Sequence, residues 1–162
     1  MAASKPKNND GKDSSGSTSG QEIVMTRVFD APRPMVYRMW TEREHLVHWW
    51  GPDGFTLTIH EMDVRPGAMW RYVMHGPDGV DYENEVAYDV IDEPELLVFS
   101  HLGDAAPHQT RVTFTEVGGK TEVIVRMVFP SEAELKRVVE KYGAVEGLKQ
   151  TLARLAAYVS KD

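Results

Sequence analysis

The chain has 162 residues, a formal net charge of −7 at pH 7 and no cysteine. This length fits one domain with a substantial core. Without cysteine there are no disulfides, thiolate metal sites or cysteine nucleophiles, which suits the reducing cytoplasm where we expect the protein. No apolar run approaches the ~20 residues of a membrane helix, so membrane insertion is not expected. The acidic balance argues against broad nucleic-acid binding, which needs clustered Lys and Arg.

Residues 1–21 differ from the rest of the chain in composition. They contain five serines and no Val, Ile, Leu, Phe, Tyr or Trp. Such a segment buries too little apolar surface to offset the entropy lost on ordering. We therefore predict a disordered tail over residues 1–21 and one folded domain over residues 22–162.

The domain opens with a predicted strand over residues 22–30, in which β-favouring and polar residues alternate. Asp30 followed by Pro32 indicates the start of a short helix. Thr41 with Glu44 has the spacing of a capping box and predicts a second short helix. The sequence Gly-Pro-Asp-Gly at residues 51–54 ends that helix.

Strands separated by turn residues follow the two helices. They are predicted over residues 55–64, 68–75, 80–91, 95–101, 109–117 and 121–129. Because such short connections cannot join parallel strands, we expect a curved antiparallel sheet of about seven strands.

One long C-terminal helix is predicted after Ser131, because apolar residues recur at helical spacing from Leu135 to Val159. Gly143 and Gly147 lie four residues apart on this helix. They indicate either close backbone packing or a kink. We favour close packing against the strands, so that Gly147→Ala is expected to overpack the contact and destabilise by ~1–3 kcal/mol. If the glycines instead provide flexibility, the same change is expected to stabilise.

An α+β arrangement of this kind leaves space inside. A helix ~10 Å wide cannot fill the concave face of such a sheet, so a cavity is expected between sheet and helix. Side-chain alternation turns one face of each strand towards it. The expected wall residues are Trp70, Tyr72, Met74, Tyr82, Val86, Tyr88, Phe99, His101, Phe114, Val125 and Met127, with Tyr142 and Leu148 from the helix.

Several motifs resemble a known family. They are Trp49-Trp50-Gly51-Pro52, the segment Asp63-Val64-Arg65-Pro66-Gly67-Ala68-Met69-Trp70-Arg71, and Tyr142-Gly143-Ala144-Val145-Glu146-Gly147. In this order, over about residues 22–159, they resemble the helix-grip or START-like (SRPBCC) superfamily, most closely its bacterial branch similar to the activator of heat-shock-protein-90 ATPase homologue. The resemblance implies a birch-pollen-allergen-like fold with a cavity between the sheet and the long helix.

The resemblance implies less about activity, because the superfamily includes carriers of hydrophobic molecules, polyketide cyclases and co-chaperone domains. Our first hypothesis is binding of a small hydrophobic or aromatic ligand in the cavity, with no cofactor and no assigned catalytic residue. The second is a co-chaperone-type module that stimulates a heat-shock-protein-90 ATPase. The third is a cyclase-like or hydrolase-like enzyme that uses His101 or His75 as acid–base, aided by Tyr82 or Tyr88.

The remaining polar residues give weaker indications. On the inner face, His101 either contacts a ligand or acts as a base, or it is a core histidine bonded to a neighbouring strand or to Asn84 or Tyr82. His45 and His48 share one side of a helix, but two histidines do not complete a zinc site, so no metal is expected. Ser100 and His101 are neighbours on a strand and point to opposite faces, which excludes a nucleophile–base pair between them.

Overall fold

The computed structural model describes residues 14–103 and 106–160. Within these ranges the strands are β1 (Ser15–Ser19), β2 (Glu22–Phe29), β3 (Thr56–Met62), β4 (Met69–His75), β5 (Asp81–Asp92), β6 (Leu96–Leu102), β7 (His108–Val117) and β8 (Lys120–Val128). The helices are α1 (Arg33–Thr41), α2 (Arg43–Trp49), α3 (Glu132–Tyr142) and α4 (Ala144–Ser160).

The described strands form one antiparallel sheet in the order β1-β2-β8-β7-β6-β5-β4-β3. Strands β3 to β8 follow one another as a meander, because short turns connect them. Strand β2 then pairs with β8, and β1 extends the sheet beyond β2. The predicted α+β class and antiparallel sheet are confirmed, with one strand more than the expected seven.

The additional strand, β1, lies inside the segment predicted to be a disordered tail, so that part of the prediction is wrong. Ser15 pairs with Thr26 and Ser19 pairs with Glu22. All five residues of β1 are exposed. Pairing with the edge of β2 uses backbone groups and needs no apolar side chain, which is why composition did not indicate it. The rest of the predicted tail, residues 1–13, lies outside the described residues.

The predicted C-terminal helix is interrupted at Gly143. This residue ends α3 in the left-handed region, at φ 62° and ψ 44°, while its N–H donates to the Val139 carbonyl. The kink interpretation is therefore right for Gly143, and α4 is the long C-terminal helix, with 17 residues. Close packing against the strands is wrong for Gly147, because a Cβ there would meet Pro52 Cγ at an ordinary 3.5 Å.

The core consists of two groups of buried side chains between the sheet and the helices. The larger, here the aromatic cluster, contains residues of α1, α2, α4 and the inner face of the sheet, including Trp49, Trp70, Tyr72, Phe99, Leu152 and Leu155. The smaller, here the α3 cluster, consists of Ile23, Phe129, Leu135 and Val138. Helix α4 thus covers one part of the sheet and α3 the other. None of the helices in the described ranges is both long and apolar enough to cross a membrane.

Candidate ligand-binding site

The space predicted to be a cavity is filled by aromatic side chains at the end of the sheet covered by α2 and α4. The rings of Trp70 and Tyr72 stack with centroids 4.3 Å apart. Trp50 directly follows α2, and its ring centroid lies 5.0 Å from that of Trp70 and 6.4 Å from that of Phe99. The cavity was predicted from the width of one helix alone. In the structure, Trp50, which follows α2, occupies the space beside α4.

Most of the predicted wall residues lie on the inner face, as strand alternation indicated. Those that are buried there are Trp70, Tyr72, Val86, Tyr88, Phe99, Phe114 and Val125. Met74, Met127 and Leu148 are partly buried and pack against this core. These side chains contact one another instead of surrounding an open space at the aromatic end.

Two predicted wall residues lie elsewhere. Tyr142 is 42% exposed at the end of α3, where the Lys141 ammonium lies 5.3 Å from its ring centroid. It does not line the interior, because the break at Gly143 ends α3 there. Tyr82 is 36% exposed and lies near the rim of the sheet, with its ring centroid 6.0 Å from that of Phe55.

A chain of hydrogen bonds connects the aromatic end with His101. Trp50 Nε1 donates to the Tyr72 hydroxyl at 3.2 Å. That hydroxyl also lies 3.2 Å from His101 Nε2. The Tyr72 side chain on β4 can contact His101 on β6, across β5, because both residues lie on the inner face of the sheet. His101 is thus hydrogen-bonded within the core, but its partner is Tyr72, two strands away, and not a residue of an adjacent strand, Asn84 or Tyr82.

His101 and His108 face each other across strands β6 and β7, where they form a cross-strand pair. Their rings stack with centroids 4.4 Å apart and planes 15° from parallel. His108 in turn stacks on Phe129, at 4.9 Å. A groove of about 300 Å³ lies here, at the end of β6, β7 and β8. It is lined by Ser100, His101, Pro107, His108, Gln109, Val128, Phe129 and Pro130.

Each of the two histidines has one buried ring nitrogen without a hydrogen-bond partner among the described residues. These atoms are His101 Nδ1 and His108 Nε2. Trp70 Nε1 and the Tyr88 hydroxyl, which belong to the aromatic cluster, are also buried and have no hydrogen-bond partner among the described residues. Buried polar groups are ordinarily paired, so unpaired ones beside a groove indicate a place where a bound molecule can supply the partner.

Burial dominates the electrostatics of these groups. It lowers the pKa of His101 well below its usual range, and the neighbouring His108 lowers it further. Burial also lowers the pKa of His108, although the hydrogen bond to the Ala106 carbonyl acts in the opposite direction. Burial raises the pKa of Tyr72 and of Tyr88. Both imidazoles are therefore neutral at physiological pH, and both phenols keep their protons.

Two other candidate polar residues have their side chains on the outer face of the sheet, and of these only Ser100 lines the groove. On the outer face, His75 Nε2 lies 2.8 Å from Thr58 Oγ1, and His75 Nδ1 lies 2.8 Å from Asp81 Oδ1. His75 therefore cannot act on a molecule in the interior. Ser100 donates to Asp89 at 2.6 Å on the outer face, as expected for a neighbour of His101.

The side chains of His45 and His48 both contact Tyr158 of α4. His45 Nδ1 lies 2.7 Å from the Tyr158 hydroxyl, and the His48 ring stacks on the Tyr158 ring at 5.3 Å. Together they attach α2 to α4. In the described ranges, no group of three or more metal-ligating His, Asp or Glu side chains was found.

Sequence reasoning missed His108 and underestimated Trp50. The signal for His108 is its position: His101 and His108 lie on either side of one loop between consecutive antiparallel strands, so a regular hairpin makes them cross-strand partners. In the sequence, Trp50 was noted as part of a family motif, whereas in the structure its ring contacts Trp49, Trp70 and Tyr72 and fills the aromatic end.

Comparison with known proteins decides the family. The family model described as "Activator of Hsp90 ATPase homolog 1-like protein" matches residues 30–160, which is most of the chain. The chain belongs to this family. Its helix-grip fold agrees with that assignment, and the predicted resemblance to this bacterial branch is confirmed. No curated protein matches the sequence.

Solved structures similar to this family member come from several bacteria. A solution structure of a protein from Arthrobacter aurescens is 22% identical, with a TM-score of 0.85, and the match covers 91% of this chain and 92% of that one. A crystal structure of a protein from Mycobacterium smegmatis is 25% identical, with a TM-score of 0.76, over 86% of this chain and 94% of that one. The AHSA1 protein from Silicibacter pomeroyi is 19% identical, with a TM-score of 0.68, over 86% and 98%. These likenesses concern the fold.

Proposed function

We propose that this family member binds a small, mainly apolar molecule at the groove beside His101 and His108. The observation that carries the proposal is the stacked histidine pair, in which each ring keeps one buried nitrogen unpaired next to a groove of about 300 Å³. Ligand sites combine an apolar lining with a few convergent polar groups. Phe129 and two prolines supply the apolar lining here, and the histidines supply the polar groups.

The proposal differs from the sequence hypothesis in the position of the ligand. The sequence placed it between the sheet and the long helix, where Trp50 and the inner-face aromatics now fill the space. The groove lies at the ends of β6, β7 and β8, beside Phe129 of the α3 cluster. His101 belongs to both descriptions, because its hydrogen bond to Tyr72 connects the two ends.

Binding of the neutral apolar dye Nile red tests this function. We expect its fluorescence to rise on addition of the protein, and a bulky residue in the groove to prevent the rise. Gln109→Trp places an indole at the groove, whereas Thr115→Trp places one on the same face of the same strand but away from it. Loss of binding in the first variant alone supports the proposal. Equal binding by the two variants overturns it.

A second candidate function is stimulation of a heat-shock-protein-90 ATPase, which is supported by the family description that matches residues 30–160. Turnover of a bacterial chaperone of this class, measured with and without saturating protein, tests it directly. An unchanged rate contradicts this candidate and leaves the ligand proposal unaffected. The cytoplasmic location stays a prediction of the sequence.

A further inference from the structure

The hydrogen-bond chain at the groove determines which nitrogen of His101 carries a proton. Trp50 Nε1 can only donate, so the Tyr72 oxygen accepts from it. His101 Nε2, 3.2 Å away, is the acceptor for the Tyr72 hydrogen, because the reverse bond would leave that buried hydrogen without a partner among the described residues. In a neutral imidazole one nitrogen accepts and the other donates, so the proton of His101 is on Nδ1. The unpaired atom of His101 is therefore a donor.

The same reasoning applied to His108 gives the opposite character. His108 Nδ1 lies 2.6 Å from the Ala106 carbonyl oxygen, which can only accept. Nδ1 therefore carries the proton, and Nε2 is an acceptor. Because the two rings are stacked with centroids 4.4 Å apart, they present one unpaired donor and one unpaired acceptor close together. One hydroxyl group can accept from the first and donate to the second.

The charges around the groove exclude an anionic ligand. Among the described residues, its lining contains no lysine, arginine or carboxylate. One carboxylate interacts with the lining from outside: Asp89 accepts from Ser100 at 2.6 Å and from Gln109 at 3.3 Å. A bound carboxylate would lose its hydration without gaining a cation, and it would lie near this acidic side chain.

From these observations we infer that the groove takes a neutral, largely apolar molecule bearing a hydroxyl group, such as a phenol. The inference rests on the proposed function, since it specifies the ligand of the same site. The hydroxyl accepts from His101 Nδ1–H and donates to His108 Nε2, while the apolar body packs against Phe129. Both nitrogens are buried in the ligand-free protein, so we expect side-chain movement to accompany binding.

A series of naphthalene compounds tests the ligand class by calorimetric titration at neutral pH. 2-Naphthol offers a donor and an acceptor, 2-methoxynaphthalene only an acceptor, naphthalene neither, and 2-naphthoate is an anion. Since one hydrogen bond contributes about 1 kcal/mol, we expect each lost bond to weaken binding by about 5- to 10-fold. The expected order is 2-naphthol, then the methyl ether, then naphthalene, with 2-naphthoate no better than naphthalene.

His108→Phe provides the matched variant, because it keeps a stacking ring and removes the acceptor. We expect it to reduce 2-naphthol affinity to about that of the methyl ether and to leave naphthalene affinity unchanged. Equal affinities for 2-naphthol and naphthalene, or tighter binding of 2-naphthoate, overturn the inferred class while the groove remains a ligand site. If none of the four compounds binds the folded wild-type protein, the proposed function itself is wrong.

A measurement independent of any ligand tests the donor and acceptor assignment. In protein labelled with ¹⁵N-histidine, the ring-nitrogen shifts of His101 and His108 report the tautomer. We expect both to be protonated at Nδ1. In Tyr72→Phe, which removes the donor to His101 Nε2, we expect His101 to become a mixture of tautomers and His108 to stay as it is. Protonation of either wild-type ring at Nε2 overturns the inference.

Discussion

The interior has two ends that differ in how completely the protein fills them. At the aromatic end, Trp50 lies among Trp70, Tyr72 and Phe99, and α4 is attached to the loop after α2. Arg154 Nη1 makes this attachment by donating to the carbonyls of Gly51 and Pro52, both at 2.9 Å. At the histidine end, the α3 cluster has four buried residues and a groove of about 300 Å³ lies beside it.

The difference teaches that, over residues 14–103 and 106–160, the sheet and helices pack into two separate groups of side chains and do not act as walls of one shared cavity. The aromatic end contributes mainly to stability, because its rings bury large apolar surfaces against one another. We expect the histidine end to contribute less to stability, and it is where unpaired polar atoms and open space occur together. The experiments that follow test this division, beginning with the largest expected effect.

Truncating one core side chain at each end compares their packing directly. Trp70→Ala at the aromatic end is expected to lower the free energy of unfolding by ~3–5 kcal/mol, because it leaves a large cavity in a filled region. Leu135→Ala in the α3 cluster is expected to cost ~2 kcal/mol, at the low end for such changes. Urea denaturation measures both.

Arg71→Ala serves as the control for Trp70→Ala. Arg71 neighbours Trp70 on β4 but lies on the outer face, where it pairs with Glu61 and Glu85 at about half exposure. We expect a change under ~1 kcal/mol, since exposed ion pairs contribute little. If Leu135→Ala proves as costly as Trp70→Ala, the two ends are equally well packed and the division is wrong.

Features of the fold that depend on local sequence patterns could be predicted, and features that depend on contacts between distant residues could not. The inner-face positions of Trp70, Tyr72 and Phe99 were predictable, since strand alternation is a local property. The eighth strand was not, because β1 pairs through its backbone and carries no apolar side chain. The filled interior was not predictable either, since it depends on where Trp50 lies after the fold is formed.

The candidate site shows the same limit. His101 was placed correctly on the inner face from alternation alone. Its partner His108 and the unpaired nitrogens depend on cross-strand register and on the bond to the Ala106 carbonyl. Tyr142 was assigned to the interior because the helix was taken as continuous, and the left-handed backbone at Gly143 breaks that continuity.

Acidification is expected to destabilise the histidine end. Burial lowers the pKa of His101 and of His108 in the folded state, so the unfolded chain binds protons first as pH falls. Stability is therefore complete above the unfolded-state pKa of about 6.5 and is lost as pH falls below it. The limiting slope is about 1.4 kcal/mol per pH unit for each histidine.

Comparing variants assigns this pH dependence to the groove. The groups in contact with the pair include the Tyr72 hydroxyl, the Ala106 carbonyl and the rings of Phe99 and Phe129. His101→Gln is expected to reduce the slope of unfolding free energy against pH between about 7 and about 5 by one proton's contribution. His75→Gln on the outer face supplies the control for a histidine outside the groove. An unaltered slope in His101→Gln contradicts the assignment.

The smallest expected effect concerns the junction between α3, which covers the histidine end, and α4, which covers the aromatic end. Gly147 lies within α4, and an added Cβ would meet Pro52 at an ordinary 3.5 Å. Since alanine favours a helix over glycine, Gly147→Ala is expected to stabilise by ~0.5–1 kcal/mol. This reverses the expected overpacking. Gly143→Ala is expected to destabilise by ~1 kcal/mol, because φ of 62° strains a residue with a Cβ although the space around it is open.

Measuring the two glycine variants together separates their causes. Each adds one methyl group, at the break between α3 and α4 or inside α4, so thermal unfolding of each variant against the wild type separates the effect of backbone conformation from that of side-chain size. Opposite signs confirm that Gly143 is retained for its backbone conformation and that α3 and α4 are separate helices over the two ends. If Gly143→Ala is stabilising instead, the segment can become one continuous helix, and the boundary between the two ends does not depend on the break at Gly143.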